Sequence, residues 1–355
     1  MPGLPRSAAV RYTQRPMANS RKIRIAVVGA GHVAQVAHIP AWKSHPDVEL
    51  AAIVDDDVVR VRHVARQFGF KTWHRDFSRM LKDADVNAVD ICTPNYLHAP
   101  MVIAALRSGR DVLCEKPLAR SAAEAQKMVD ASDKYGRMLM VAMNNRFRED
   151  VSTLHRLIKA GELGDVQVVK AGWQRKSMEW KDRVWFTEKG KAGGGALLDL
   201  GTPLMDLAIW MSHLRRPVST SCAAYGKKGR NGVEDSACAL VRFAGGASLM
   251  LDVNWNLREK TDRTYLNVFG SKGAAMLNPL QIHKSIHGVL VNVTPSISRA
   301  NYYKKSYQEE IKHFVACRAR RRKPLSSGRE AVTVLRILDA MYASAASGRE
   351  VEIPA

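Results

Sequence analysis

The sequence predicts an α/β protein in which a doubly wound parallel sheet is followed by an α+β domain with a large, mostly antiparallel sheet. Three observations predict this arrangement. A glycine-containing turn follows the first apolar run, strand-like runs alternate with helical patterns up to residue 143, and glycine-bounded, β-rich segments follow from residue 144. Alternation of strands with helices is typical of parallel sheets, whereas strands joined by short turns are typical of antiparallel ones.

The first strand and its turn lie within residues 23–40, where an apolar run reaches Gly29 and Gly31 and gives way to a helical pattern. Such a turn uses glycine because the backbone adopts unusual dihedral angles and must approach a pyrophosphate at the helix N-terminus. Ala34 stands at the third position of the G-x-G-x-x-G pattern, which needs only a small residue. An ordinary tight turn is the alternative. We expect a Rossmann-type turn in which the cofactor contacts Gly29, Gly31, His32 and Val33.

A second buried strand over residues 48–56 ends in acidic residues. Asp55 lies 24 residues after Gly31 (55 − 31), close to the spacing of about 20 at which a carboxylate accepts the ribose hydroxyls of NAD. The alternative is that the acidic residues only cap the following helix, and both roles are compatible if Asp57 is the cap. We therefore expect NAD as the cofactor, and the nearby Arg60 leaves NADP open.

Further strand-like runs cover residues 88–94, 112–117 and 138–143, with helices between them. Ser121 and Glu124 have the spacing of a capping box. Ligands of such sheets bind at the carboxyl ends of the strands. That edge carries the predicted cofactor-binding residues Thr93, Pro94, Asn95, His98, Glu115 and Lys116.

The chain divides at about residue 143. Residues 1–20 are polar and rich in arginine, and we expect a disordered tail, with Met17 as an alternative start. Residues 21–143 form the predicted dinucleotide-binding domain, and residues 144–355 form a predicted domain for substrate binding and oligomerisation. Residues 237–255 and 264–277 each predict two strands joined by a tight turn. A final helix over about 328–347 is open to packing back on the first domain.

The composition excludes several classes of protein. The 355 residues carry a formal charge of +21, from 55 basic and 34 acidic side chains, but no nucleic-acid-binding signature accompanies the charge, so we do not expect a nucleic-acid partner. No stretch is long and apolar enough for a membrane span. The five cysteines never form a CxxC pair, which indicates reduced thiols and a cytoplasmic protein. No metal is expected, because metal-ligand spacing is absent among His32, His155, His213, His283, His287 and His313.

The ordered motifs closely resemble the Gfo/Idh/MocA oxidoreductase family from about residue 22 to residue 353. The residues that carry the resemblance are Gly29, Gly31, His38, Asp55, Thr93, Pro94, His98, Glu115, Lys116, Pro117, Asn145, Arg146, Phe147, Gly193, Gly194, Gly195, Asp199, Gly201 and Asp206. The resemblance implies NAD(P)-dependent oxidation or reduction of a sugar, inositol or related polyol by a homodimer or homotetramer. It also implies that Lys116 is catalytic, that the bond before Pro117 is often cis, and that Glu115 orients the lysine or the cofactor ribose. A partly desolvated lysine is expected to have a lowered pKa.

The chain departs from the family's D-x-G-x-H-x-x-D segment, because the position of the histidine is held by Pro203. Proline cannot accept a proton. Thr202 and Pro203 instead predict a helix start, with threonine as cap. Three outcomes follow: Lys116 and Asp199 carry the proton chemistry, a histidine or tyrosine from elsewhere substitutes, or the protein binds NAD and a sugar without turnover, as a sensor would. We expect the first.

The predicted substrate-binding residues are Lys116, Asn145, Arg146, Trp185 and Asp199. Amide and guanidinium groups suit hydroxyls or a carboxylate, and an aromatic face suits the C–H surface of a sugar. Core packing is an equal alternative for the aromatic residues. A further enzymatic alternative is transient oxidation of a sugar by tightly held NAD, with little net NADH.

Overall fold

The fold is that of a computed structural model, which describes residues 22–176, 184–226, 232–257, 260–298 and 300–354. The predicted tail, residues 1–20, lies outside the described residues.

The first sheet has six parallel strands in the order β3-β2-β1-β4-β5-β6. The strands are β1 Ile23–Val28, β2 Val48–Val54, β3 Thr72–His74, β4 Ala88–Ile91, β5 Asp111–Glu115 and β6 Leu139–Ala142. The predicted doubly wound sheet is confirmed. Because the strand order reverses between β1 and β4, a crevice opens there at the carboxyl ends of the strands.

Helices cover both faces of this sheet. They are α1 Ile39–Lys43, α2 Val58–Phe68, α3 Phe77–Asp83, α4 His98–Arg107 and α5 Ala122–Tyr135. A π turn over Ala34–His38 runs directly into α1. Asp57 caps α2, as predicted, by accepting the Arg60 N–H at 2.9 Å. Ser121 caps α5, but the predicted capping box is only half formed, because the Glu124 carboxylate accepts from the Arg120 N–H rather than from Ser121.

The second sheet has nine strands in the order β14-β13-β12-β11-β7-β10-β9-β8-β15. The strands are β7 Val166–Lys176, β8 Pro217–Tyr225, β9 Ser236–Phe243, β10 Ser248–Leu257, β11 Arg263–Gly270, β12 Gly273–Leu277, β13 Gln281–Ile286, β14 Val289–Asn292 and β15 Val351–Glu352. All neighbours are antiparallel except β7 and β10. Both predicted hairpins, β9–β10 and β11–β12, are confirmed.

The remaining helices follow the first sheet in the chain, and some of them pack against elements of both halves of the molecule. They are α6 Glu149–Lys159, α7 Val184–Thr187, α8 Lys189–Ala192, α9 Ala196–Ser212, α10 Tyr302–Arg320 and α11 Gly328–Ser347. Helix α9 packs on β7 and β10, while α11 lies against both α9 and α5. The Ala122 N–H at the start of α5 donates to the Asp339 carboxylate of α11 at 2.9 Å. The last helix therefore contacts helices of both halves of the chain.

Candidate active site

A cleft of about 1140 Å³ lies between the carboxyl ends of the first sheet and the inner side of the second. One side is formed by the glycine turn and the loops after β4 and β5, and the other by residues of β7 and α9. The strand ends of the first sheet and the start of α9 therefore line one cavity.

The two glycines of the first turn have different roles. Gly29 has a φ of +95°, and a Cβ there would lie 2.6 Å from the Cys92 carbonyl oxygen, so the backbone itself requires glycine. A Cβ on Gly31 would meet nothing within 4 Å, and Gly31 lines the cleft. Ala34 is fully buried, as expected of the third position. The turn therefore leaves open space of the kind that a pyrophosphate fills, and His32 and Val33 line the same space.

Asp55 lies at the end of β2 and braces this turn. Its Oδ2 accepts the Ala30 N–H at 2.7 Å and its Oδ1 accepts the Asp57 N–H at 2.9 Å. Arg60 lies 3.5 Å from the same carboxylate. Burial raises the pKa of Asp55, although the two backbone donors favour its ionised form. Asp55 and Arg60 both line the cleft, at the end where the ribose is expected.

The residues after β4 separate into two groups. Thr93, Pro94 and Asn95 line the cleft, and the Asn95 amide donates to the Ala192 carbonyl at 2.8 Å, which ties this loop to α8. His98 is buried instead, with its ring nitrogens 2.8 Å from the Thr93 carbonyl and 2.9 Å from that of Pro117. The structure thus places His98 behind the cleft, where it links the loops after β4 and β5.

Lys116 and Asp199 meet across the cleft. Lys116 Nζ donates to Asp199 Oδ1 at 2.9 Å and to the Asp199 carbonyl oxygen at 3.2 Å. The other carboxylate oxygen, Oδ2, accepts from Trp255 Nε1 at 3.1 Å. The peptide bond between Lys116 and Pro117 is cis, as the family resemblance implied. The lysine is 27% exposed, so its ammonium remains reachable from the cleft.

The expected lowering of the lysine pKa is wrong. Burial acts in that direction, but the carboxylates of Asp199 and Glu115 outweigh it and raise the pKa of Lys116 above its ordinary value, against a weaker opposing effect of Arg175. The sequence argument considered burial and did not place two carboxylates beside the ammonium. Lys116 is therefore charged at neutral pH.

Helix α9 begins at Ala196, not at Thr202 as predicted, so Pro203 lies inside it. The N-terminus is capped by a residue that sequence reasoning missed: the Glu234 side chain accepts the N–H groups of Gly195 and Leu197, both at 2.9 Å. Such capping satisfies donors at a helix start. It places Asp199 in the first turn of α9, facing the cleft, and no local sequence signal connects Glu234 to this helix.

A buried ionic network lies behind Lys116. His38 is fully buried, with Nδ1 2.9 Å from Asp90 and Nε2 2.8 Å from Glu115. Burial alone would lower the pKa of His38, but the Asp90 carboxylate raises it well above its ordinary value. Asp90 also accepts from Trp42 Nε1 at 2.7 Å, and Glu115 accepts the Lys116 backbone N–H at 2.9 Å. The network fixes the strand end that carries the lysine.

The network contains a set of groups that could hold a metal ion, since ligand atoms of His38, Asp90 and Cys92 lie within 4.8 Å of one another. Both ring nitrogens of His38 are already at hydrogen-bond distance from carboxylates. Burial raises the pKa of the Cys92 thiol to about 12, so the sulfur is protonated. The groups as arranged stabilise one another, and we assign no metal to them.

The predicted substrate contacts are only partly brought together. Asn145 and Trp185 line the cleft. Arg146 does not, because its guanidinium is buried and donates to Asp206 Oδ2 at 2.7 Å, to Glu330 at 3.0 Å and to the Leu325 carbonyl at 2.5 Å. A 3₁₀ turn over Asn144–Phe147 directs successive side chains in different directions. Arg146 is a structural residue that joins α9 to the start of α11.

Within the described ranges, no helix is both long and apolar enough to cross a lipid bilayer.

The fold and the cleft define a dinucleotide-binding protein with a second, sheet-based domain that completes the site. Residues 23–143 match the family model described as "Oxidoreductase family, NAD-binding Rossmann fold", and residues 151–276 match the Gfo/Idh/MocA C-terminal domain. The chain therefore belongs to the Gfo/Idh/MocA oxidoreductase family, and residues 23–143 are its NAD-binding Rossmann domain.

Similar proteins cover between 72% and 94% of the chain. The D-glucoside 3-dehydrogenase of Escherichia coli K12 is 28% identical over 94% of this chain and 98% of its own length. A putative UDP-kanosamine synthase oxidoreductase subunit of Amycolatopsis mediterranei S699 is 31% identical over 72% of this chain and 75% of its own length. A levoglucosan dehydrogenase solved with NADH and levoglucosan is 25% identical, with a TM-score of 0.87 over 94% of this chain and 100% of the other.

Proposed function

We propose that the protein is an NAD-dependent dehydrogenase or reductase that acts on a hydroxyl-bearing carbon of a sugar, inositol or sugar derivative. The observation that carries the proposal is the Lys116–Asp199 pair at the end of a dinucleotide cleft. The family, and relatives that include a D-glucoside and a levoglucosan dehydrogenase, support a sugar or polyol as the substrate.

The described residues fit the dinucleotide. Gly31 leaves open space that the pyrophosphate would fill, Asp55 would meet the ribose, and Glu115 would lie beside Lys116 near the nicotinamide. NAD supplies the hydride acceptor, and NADH the donor, at the nicotinamide ring. Arg60 beside Asp55 leaves NADP as a second cofactor to be tested.

Lys116 handles the proton. When a carbonyl substrate is reduced, the charged ammonium donates a proton to the oxygen that becomes the hydroxyl, and the same group takes the proton back when an alcohol is oxidised. Asp199 holds the ammonium at 2.9 Å and stabilises its charged form. Because that form prevails at neutral pH, we expect reduction to be favoured near neutral pH and oxidation to require alkaline pH.

The substrate would lie against Trp185 and Asn145, which line the cleft on the side of the second domain. The aromatic ring suits a sugar face and the amide suits its hydroxyls. We also propose that the open face of the second sheet, where Met250 of β10 is 49% exposed, packs against a second copy of the chain.

The test combines binding with turnover. NADH and NADPH are titrated by fluorescence, and the protein is then assayed in both directions against a panel of sugars, polyols and their keto forms. Lys116→Ala should lower turnover by about 10²- to 10⁴-fold while NADH still binds. Lys127→Ala is the matched control, because that lysine is exposed on α5 and lies outside the cleft. Unchanged turnover in Lys116→Ala would remove the lysine from the chemistry.

A second outcome separates the enzyme from a sensor. If the parent binds NADH and a sugar but shows no turnover in either direction, including single-turnover reduction of bound NAD, the catalytically silent alternative is correct. If neither NADH nor NADPH binds, the cofactor role of the first turn is wrong.

A further inference from the structure

Pro203 lies in the interior of α9, seven residues after the first residue of the helix. Proline has no backbone N–H and therefore cannot donate to the carbonyl four residues earlier. In α9 that carbonyl belongs to Asp199, and Lys116 Nζ lies 3.2 Å from its oxygen. The Asp199 carbonyl, which lacks a backbone donor at position 203, therefore accepts from the Lys116 ammonium instead.

We propose that Pro203 is a positioning residue for Lys116, because it frees the Asp199 carbonyl to serve as a second acceptor for the lysine ammonium. The catalytic importance of this role rests on the proposed function. Pro203 stands where the family pattern has a histidine. The chain therefore lacks the imidazole at the cleft, and α9 lacks one backbone N–H at the same position.

Two contacts from one residue give the ammonium a defined place. If the Asp199 carboxylate were the only acceptor, Nζ could take several positions around Oδ1. The carboxylate at 2.9 Å and the carbonyl at 3.2 Å together restrict the position of Nζ from two directions. The carboxylate cannot follow the lysine freely, because Trp255 Nε1 holds Oδ2 at 3.1 Å. The second acceptor is therefore part of a fixed site.

The cost of the proline indicates that its position is not incidental. A proline in a helix interior destabilises the helix relative to alanine. Pro203 is buried and lines both the main cleft and an adjoining cavity of about 680 Å³. The residue directly before it, Thr202, donates its hydroxyl to the Leu198 carbonyl at 2.5 Å, so the side chain of Thr202 does not compete for the Asp199 carbonyl.

The charged groups that face Lys116 come from three elements: Asp199 from α9, Glu115 from its own strand and Arg175 from β7. A substitution at position 203 removes none of these charges. A change in the protonation of Lys116 in such a variant therefore reports on the carbonyl and not on the loss of a charged neighbour.

The experiment restores the missing N–H in two ways. Pro203→Ala and Pro203→Val both supply the donor, but valine keeps as many side-chain carbons as proline, whereas alanine loses two. The pH dependence of Lys116 acylation by acetic anhydride is measured by peptide mass spectrometry on the whole protein, with Lys127 as internal control. We expect the midpoint for Lys116 to fall by about one pH unit in both variants, and the midpoint for Lys127 to stay. The alkaline limb of the reductive pH–rate profile should move in the same direction.

The outcomes separate this inference from the proposed function. A midpoint that is unchanged in both variants, or that changes only in the alanine variant, would overturn the inference, because the second result would trace to lost volume. A shifted midpoint in a protein without turnover would support the inference and contradict the proposed function. Both variants remove a proline from a helix interior and should melt no lower than the parent, so circular dichroism verifies that they are folded.

Discussion

Replacing His38 by alanine tests the buried network behind Lys116. The imidazole is fully buried and lies within 2.9 Å of Asp90 and 2.8 Å of Glu115. Its removal leaves two carboxylates without their shared cation. Asp90 then keeps the indole N–H of Trp42 at 2.7 Å and the Cys92 thiol at 3.7 Å, and Glu115 keeps the Lys116 backbone N–H at 2.9 Å.

The expected loss follows from this geometry. Breaking a buried ion pair by removing one partner costs about 3–5 kcal/mol, because an uncompensated charge stays in the interior. Two carboxylates are affected, but each retains at least one neutral donor, so we expect His38→Ala to lower the free energy of unfolding by an amount within that range. Urea titration followed by tryptophan fluorescence measures it, and an unchanged m-value shows that the compared states are the same.

A triple variant separates charge from packing. In His38→Ala combined with Asp90→Asn and Glu115→Gln, the two carboxylates that His38 contacts are replaced by neutral amides, and the cavity of the missing ring remains. We expect the triple variant to recover most of the lost stability. If it is no more stable than His38→Ala, the loss comes from the cavity and the electrostatic account of the network is refuted.

Three further predictions concern other parts of the molecule. Gly31→Ala should fold normally but weaken NADH binding in a fluorescence titration, since its Cβ would enter open cleft, whereas Gly29→Ala should lower the melting temperature because its Cβ would lie 2.6 Å from a carbonyl oxygen. Asp206→Asn should cost about 1–3 kcal/mol in urea titration, because the buried Arg146 guanidinium loses one of its two carboxylate partners and keeps Glu330, and a loss below about 1 kcal/mol would contradict the structural role. Burial lowers the pKa of His38, but the Asp90 carboxylate outweighs burial and raises this pKa above 6.5. The charged imidazole therefore stabilises the fold fully below about pH 6.5, and this contribution is lost as the pH rises through the folded pKa. The free energy of unfolding should fall above about pH 6.5, by up to about 1.4 kcal/mol per pH unit, and His38→Gln should abolish that slope.

The fold was accessible from the sequence because its signals are local. The glycine turn, the alternation of strands and helices, the cap at Asp57 and the two hairpins each depend on a few neighbouring residues, and each is present in the structure. The start of α9 was missed because its cap comes from Glu234, which lies 39 residues after Gly195 in the chain. A proline preceded by threonine is a common helix start, but here both residues lie inside the helix.

The candidate site was less accessible, since contacts between distant residues decide it. The position of Arg146 after a strand end suggested a substrate contact, yet its partners are Asp206 and Glu330, which no local pattern connects to it. The direction of the Lys116 pKa was misjudged for the same reason. Burial can be estimated from the position of a residue on a strand, but the effect of a carboxylate 83 residues away needs the folded chain.

Pro203 changes how the missing histidine is interpreted. Considered as a side chain, proline removes a base from the cleft and favours a protein without turnover. Considered as backbone, it removes a donor from α9 and supplies an acceptor to the lysine that remains. A lysine held by Asp199 through two oxygens, with Glu115 behind it, is suited to donate a proton rather than to take one at neutral pH. The loss of the histidine therefore argues for a reductive direction at neutral pH, and less strongly for the absence of catalysis.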